Sequence, residues 1–520
     1  MKPVIGHIVA SYLPRSEIFT YRLINSLTAF DNHVFTTRTE NLDIFPMRNL
    51  TVVKSESEYP GLAGKAGINL ALSHFGPSGL LGMQVGLMND IPSATIFHGY
   101  DVSMLLHSPR WVEQYQTLFQ FGSHCICISE VGRQRLINIG CRPDRVSVVH
   151  LGVDVSDFSP SEQNHVGNTA REVRLLIVSR LAEKKGISYA MTALQRALER
   201  VPELKLRIVG DGEEREKLEA LRHELGLEQH VLFLGAMDNA VLRNEMLGCH
   251  IYLQPSITAQ DGDQEGIPVA LMEALACGRP AIASRHSGIP ELILDGRTGL
   301  LVEERDAEGL AAAIVRMVDN PDLARSIARA GRAWVEREFN LHTQATRFTR
   351  LLSDIMQNHE QSRARFRENG AQPGPKTLFL RSVPVHTALV KLMILKKRQP
   401  TARLTVLSLG SYGECFARCP IVNQVLSGPG DRFDWGNFDS VLRARIVEEH
   451  FDRIVVPYAN DDGAGYNNVR EFARAIGARE IVAMPWSQNE VPLADDERAI
   501  QPGKPELFAA TIALQEDQRR

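Results

Sequence analysis

The chain repeats one rhythm. Short apolar runs of the kind that become buried strands end in polar or Gly turns. Each is followed by a stretch whose apolar residues recur at helical spacing. In the first third, Val4–Ala10, His33–Thr37, Ala94–Phe97, Cys125–Ile128 and Val146–Val149 read as strands, with a helix over Glu17–Ala29 after the first. Strands that alternate with helices form a parallel sheet covered on both faces. Ligands of such doubly wound sheets bind beyond the carboxyl ends of the strands. That narrows the search for chemistry to the residues just after each apolar run.

The rhythm breaks at the polar, aperiodic segment Ser156–Thr169 and restarts at Val173. Strands are expected over Val173–Ser179, Leu204–Val209, Val231–Leu234, Ile251–Leu253, Ala281–Ser284 and Leu300–Val302. Three helical patterns, Ala307–Val318, Asp322–Glu336 and His342–Met356, close this part. The polar run Asn358–Pro375, with Arg363, Arg365 and Arg367 and ending in GAQPGP, reads as a linker. Its arginines could touch anionic lipid, but a solvated linker is preferred. A third alternation follows, from Thr377–Leu380 to Glu480–Met484. The expected organisation is therefore a Rossmann-like domain over 1–160 and a second over 170–357. A linker over 358–375, an accessory α/β module over 376–490 and a partly disordered tail over 491–520 complete it.

Composition excludes several classes. With 520 residues, 44% apolar and 23% charged, the chain is an ordinary globular protein of about three domains. A net charge of -4 gives no basic field for nucleic acid. No run of about 18 apolar residues is present to span a membrane, and the start MKPVIGHIVASY reads as a first strand rather than a secretory signal. Seven cysteines without a C-x-x-C pair or zinc spacing fit reduced thiols in a cytosolic protein.

Candidate chemistry gathers at strand ends. Ala94–Phe97 runs into His98-Gly99-Tyr100-Asp101, and His74-Phe75-Gly76 precedes a Gly-rich helical stretch. His98 is well placed to face a cleft; its bland alternative is a surface-loop histidine capped by Asp101. Arg180 ends the strand from Val173, and Lys185-Gly186 precede the next helix. Together they could serve as counter-charges for a diphosphate, or stand as a solvated loop pair. Gly210-Asp211-Gly212 is a tight turn without a full dinucleotide fingerprint.

The stretch DGDQEGIPVALMEALACGRP (261–280) holds two glutamates, Glu265 and Glu273, around a helix start framed by Gly266 and Pro268. Pro268 suits the first helical position. Val269, Met272, Leu275 and Ala276 predict one inward face, and Gly278 a stop. Amide groups at that helix start suit phosphate, and a carboxylate there suits sugar hydroxyls. Asp261-Gly262-Asp263 has a D-x-D pattern but lies in an irregular loop, and is read as a turn without metal.

Residues 1–357 resemble glycosyltransferase family 4, retaining enzymes of the GT-B fold. The motifs that carry the resemblance are FHGYD (97–101), ISE (128–130), HLGVD (150–154), VSRLAEKKG (178–186), IVGDGEE (208–214), EGIPVALME (265–273), and SGIPELI with DGRTGLLV (287–302). GDQEGIPVALMEA and the opening loop YLPRSEIFTYRLI are similar to the exopolysaccharide subgroup that builds colanic acid and amylovoran. The third module is faintly similar to the N-terminal half of heptosyltransferases, in RQPTARLTVLSLG, with no catalytic motif transferred.

The resemblance implies two Rossmann-like domains facing a cleft. It assigns the donor diphosphate to Arg180 and Lys185, donor-sugar hydroxyls to Glu265 and the nucleotide ribose to Glu273. Gly266 and Ile267 would offer backbone amides, Gly210 would line the donor site, and His98 would face the donor sugar. The Gly-Gly loop that many members carry after the first strand is replaced by Ala10-Ser11-Tyr12-Leu13-Pro14.

The implied activity is a metal-independent hexosyltransferase with no cofactor beyond a nucleoside-diphosphate sugar as co-substrate. Its acceptor would be a glycan or polyprenyl-linked saccharide in surface polysaccharide synthesis. The protein would be cytoplasmic, with peripheral contact at the inner face of the plasma membrane. Two alternatives are an epimerase of similar shape and a non-catalytic sugar-nucleotide-binding module of an assembly.

Overall fold

The computed structural model describes residues 1–14, 17–55, 58–158, 172–368, 374–399, 402–410, 413–417, 419, 421–430, 432–458, 466–484 and 491–492. The first sheet is built from β1 (Val4–Tyr12), β2 (Asp31–Thr39), β3 (Leu50–Val52), β4 (Leu70–His74), β5 (Ser93–Phe97), β6 (His124–Cys127) and β7 (Val146–Val148). All its pairings are parallel, in the order β3-β2-β1-β4-β5-β6-β7. β4 and β5 are buried at every position, as a central parallel strand covered on both faces must be. The short edge strand β3 escaped the sequence pattern because it has only three residues and leaves Val52 exposed.

The second sheet repeats the plan with β8 (Val173–Val178), β9 (Leu204–Val209), β10 (Val231–Gly235), β11 (Ile251–Gln254), β12 (Ala281–Ser284) and β13 (Leu300–Val302), in the order β10-β9-β8-β11-β12-β13. Chain order reverses between β8 and β11, which are hydrogen-bonded neighbours. The loops after these two strands therefore diverge and leave a crevice at the carboxyl edge. One apolar core runs through both halves, from Ile5, Leu72 and Ile96 to Leu271, Leu275 and Ile289. Val153 bridges to Asn340, where the helix Leu341–Glu368 begins beside the first domain.

That helix corrects the expected linker: residues 358–368 continue it. Gln, Arg, Glu and Ala are good helix formers, and no Gly or Pro interrupts the run before Gly370. The helix in the 261–280 stretch also differs from expectation. It spans Val269–Ala276 with Pro268 as the residue capping its start, and Gly278 follows it at φ 67°. Leu271 to Ala276 are all buried, rather than one face alone. The helix is wedged between β11 and β12 on one side and the helix Pro321–Glu338 on the other.

The third module has its own sheet, with β14 (Lys376–Leu380), β15 (Arg403–Leu409), β16 (Gln424–Gly428), β17 (Arg453–Pro457), β18 (Glu480–Met484) and β19 (Val491–Pro492). The order is β16-β15-β14-β17-β18-β19, with only β19 antiparallel. Val469, Phe472, Ala473 and Ile476 of the helix Asn467–Ile476 are buried at helical spacing. The strand β16 was not foreseen, because its half-exposed QVLSG carries little apolar signal. The side chains of Arg363, Arg365, Arg367 and Cys415, residues 411–412, the turn Asn460–Gly465 and positions 493–520 of the expected tail lie outside the described residues. Among the described residues no helix is long and apolar enough to cross a membrane.

Candidate active site

The two strands that flank the second sheet's crevice each deliver one charge. Beyond β8 the chain makes a short 3-10 turn, Glu183–Lys185, that carries Lys185 forward. Beyond β11 it runs through an irregular loop to Glu265. Lys185 Nζ and Glu265 Oε1 meet at 2.5 Å, with side chains 16% and 9% exposed. Burial pushes the Glu265 carboxyl up, but the Lys185 and Lys184 ammonium groups outweigh it and hold the group below its ordinary value. Glu265 is therefore ionised at neutral pH.

The Glu265 backbone is fixed from behind. Its amide donates to His286 Nε2 at 3.1 Å, and His286 Nδ1 meets Glu304 Oε1 at 2.6 Å. An acceptor Nε2 requires the proton on Nδ1, which donates to Glu304. Ser287 Oγ donates to the Glu265 carbonyl at 2.8 Å. His286 follows β12 and Glu304 follows β13, so two successive strand ends set one glutamate. Sequence reasoning missed this pair; a histidine directly before the SGIPELI turn was the available signal.

Arg180 stands apart. Its side chain is 57% exposed, and its nearest carboxylate, Glu213, lies at 3.8 Å. Gly210 ends β9 with φ 132°, and a Cβ there would run into the Ser179 carbonyl, so only glycine fits. Lys184, beside Lys185, binds Asp263 at 2.9 Å, while Asp261 Oδ1 accepts the Asp263 amide. Both carboxylates of the D-x-D turn thus hold the loop together.

The first domain supplies the facing wall. His98 follows β5, but it is no surface-loop residue: it is 5% exposed, and among the described residues neither ring nitrogen has a hydrogen-bond partner. Burial pushes its pKa down to about 3, so the ring is neutral. Phe75 and Phe19 pack on it at centroid distances of 4.3 and 5.1 Å. Asp101 does cap this end, accepting the His98 amide and the Gly76 amide at 2.9 Å each. It thereby ties the ends of β4 and β5 together. His74 turns inward instead, its Nε2 3.0 Å from His7 Nδ1 within the core.

The two walls touch. A Cβ on Gly99 would lie 3.0 Å from the Gln264 carbonyl and from the Gly266 amide, and one on Gly266 would lie 2.6 Å from the His98 carbonyl. Gln264 is gripped from the first domain, by Arg135 at 2.5 Å on its side chain and by Ser103 at 3.2 Å on its amide. Gly266 and Ile267 lie between these contacts and the start of the helix Val269–Ala276. Glu273, in that helix, pairs with Arg22 of the first domain at 2.7 Å. His98, Lys185, Glu265 and Gly266 thus converge, Arg180 and Gly210 line the open side of the second sheet, and Glu273 lies one helical stretch deeper.

Comparison with known proteins places the first two sheets in a family. Residues 21–157 match the model of Glycosyltransferase Family 4, and residues 160–334 that of Glycosyl transferases group 1. The chain is 37% identical over 273 residues to the putative colanic acid biosynthesis glycosyltransferase WcaL of Escherichia coli strain K12, covering 52% of this chain and 66% of that protein. It is 34% identical over 288 residues to the WcaL of Salmonella typhimurium, covering 55% and 70%. For the amylovoran biosynthesis glycosyltransferase AmsK of Erwinia amylovora the identity is 32% over 289 residues, with the same coverages of 55% and 70%. Among solved structures, Anabaena Alr3699/HepE in complex with UDP superposes with a TM-score of 0.59 at 20% identity, over 68% of this chain and 100% of that one. The fold of residues in the first two sheets is therefore that of the GT-B enzymes.

Proposed function

This chain belongs to glycosyltransferase family 4, and from that premise we propose that it moves a hexose from a nucleoside-diphosphate sugar to a hydroxyl of a glycan or lipid-linked saccharide. The observation that carries the reading is the Lys185–Glu265 pair at the crevice, with the ring of His98, unpartnered among the described residues, on the opposite wall. Its relatives WcaL and AmsK are described as colanic acid and amylovoran biosynthesis enzymes. We therefore take surface polysaccharide as the product class and the cytoplasmic face of the membrane as the place of action.

Each side chain has a task in this reading. Arg180 and Lys185 hold the diphosphate, aided by the Gly266 and Ile267 amides at the helix start, with Gly210 keeping the strand end open to it. Glu265, ionised, accepts hydroxyls of the donor sugar, and Glu273 accepts the ribose hydroxyls. His98, neutral, meets the sugar near the reacting carbon. The bond from that carbon to the diphosphate oxygen breaks with its electron pair going to the diphosphate. The acceptor oxygen bonds to the same face, and its proton passes to the departing phosphate, so configuration is retained. Cations and amides that stabilise the leaving charge let the step run without a metal or cofactor. Contact between the two walls excludes water from the donor.

The test incubates the full chain with UDP-, GDP- and ADP-hexoses and a membrane lipid extract. Transfer that requires acceptor and disappears in Glu265→Ala is expected. Transfer untouched in Glu265→Ala overturns the site. Epimerised donor in the absence of acceptor, or binding without turnover, overturns the reaction.

A further inference from the structure

Glu273 is completed from the other domain. Arg22 Nη1 donates to its Oε1 at 2.7 Å, across 251 residues of sequence. Arg22 belongs to the helix Ile18–Ser26, the first helix after β1. The two side chains are 17% and 11% exposed, so the pair is largely out of water. Burial pushes the Glu273 carboxyl up and Arg22 pulls it back, with the balance still above its ordinary value. The other ionisable groups facing it are Asp157, which opposes its charge, and Arg243, which favours it. Tyr252 and Cys277, packed nearby, are both held neutral by burial.

A carboxylate that is to receive a vicinal diol must be ionised and fixed in rotamer. A protonated acid offers one oxygen as acceptor and spends the other as a donor. Arg22 is the nearest cation that can supply both conditions, and it does so only while the two domains stand together. We propose that Arg22 is a positioning residue for the donor nucleotide: by gripping the Glu273 carboxylate across the domain boundary, it makes recognition of the ribose hydroxyls conditional on domain contact. The inference rests on the reading of Glu273 as the ribose acceptor.

The experiment measures binding of UDP, GDP and ADP and of their 2′-deoxy counterparts to the full chain by calorimetry, between about pH 5.5 and 8.5. The preference of the wild type for the ribo form is expected to be on the order of tenfold for whichever nucleotide binds. Arg22→Met is expected to lose most of that preference, and to lose more of it towards the acid end of the range, where the unassisted carboxyl takes up a proton more readily. Arg22→Lys, which keeps the charge and with it the fold, is expected to retain the preference in part and to shift its pH dependence in the same direction. The double variant Arg22→Met with Glu273→Gln should be no worse than Glu273→Gln alone. If Glu273→Gln abolishes the preference while Arg22→Met and Arg22→Lys keep it at every pH, the inference is overturned and the ribose reading stands. If Glu273→Gln itself keeps the preference, the ribose reading falls and the inference with it.

Discussion

Lys185 Nζ sits 2.5 Å from Glu265 Oε1 in a site where both side chains are nearly buried. Removing one member leaves an uncompensated buried charge. Lys185→Met should therefore lower stability by about 3–5 kcal/mol, read by urea unfolding at neutral pH. Adding Glu265→Gln should restore much of that loss without restoring activity. The Glu265 carboxyl is held below its ordinary value of 4.5, so the stabilisation is fully present above that pH and lost as pH falls through the folded value. The difference between wild type and Lys185→Met should accordingly shrink in acid.

Arg180 makes the opposite case. Half-exposed, with its nearest carboxylate at 3.8 Å, it contributes little to the fold. Arg180→Ala should leave unfolding unchanged within about 0.5 kcal/mol. Affinity for the nucleoside diphosphate should fall by roughly tenfold or more. A large stability loss with unchanged affinity would contradict the assignment.

Gly266 stands where the walls leave no room for a side chain. Its missing Cβ would lie 2.6 Å from the His98 carbonyl and from Ile128 Cδ1, both in the first domain. Gly266→Ala should push the walls apart while each domain stays folded. Turnover should drop on the order of 100-fold, since a displacement near 1 Å has that effect. Melting should change little, and small-angle scattering should show a more open particle.

The buried ring of His98 titrates near 3 rather than 6.5. Between those values the unfolded chain binds a proton that the folded one does not. His98 therefore costs about 1.4 kcal/mol of stability for each pH unit below 6.5. His98→Phe should flatten the pH dependence of unfolding by one proton across that range, seen as a smaller slope of unfolding free energy against pH. Above pH 6.5 the two proteins should run parallel.

The strand-helix rhythm was legible because burial on both faces forces continuous apolar runs, and β5, β11 and β12 are buried at every position. Strand ends followed at once, and with them His98, Arg180 and Lys185, while Glu265 came from the helix start in the 261–280 stretch. Short or half-exposed strands, Leu50–Val52 and Gln424–Gly428, carry too little of that signal. The end of the helix at Glu368 was hidden by polarity, because its run of Asn, Glu, Gln, Ser and Arg resembles a linker in composition.

The sequence by itself determined the family, the three α/β alternations and the residue types available at each strand end. Local pattern suffices for these, since periodicity and turn chemistry act over a few residues. Only the tertiary structure decided which charges meet. Lys185 and Glu265 are brought together across the crevice between β8 and β11, and His286 with Glu304 holds the glutamate from two further strand ends. Arg22 reaches Glu273 over 251 residues, and His98 is withdrawn from solvent by Phe19 and Phe75. Electrostatic partnership and desolvation depend on distance in space, and no spacing along a chain encodes that distance directly.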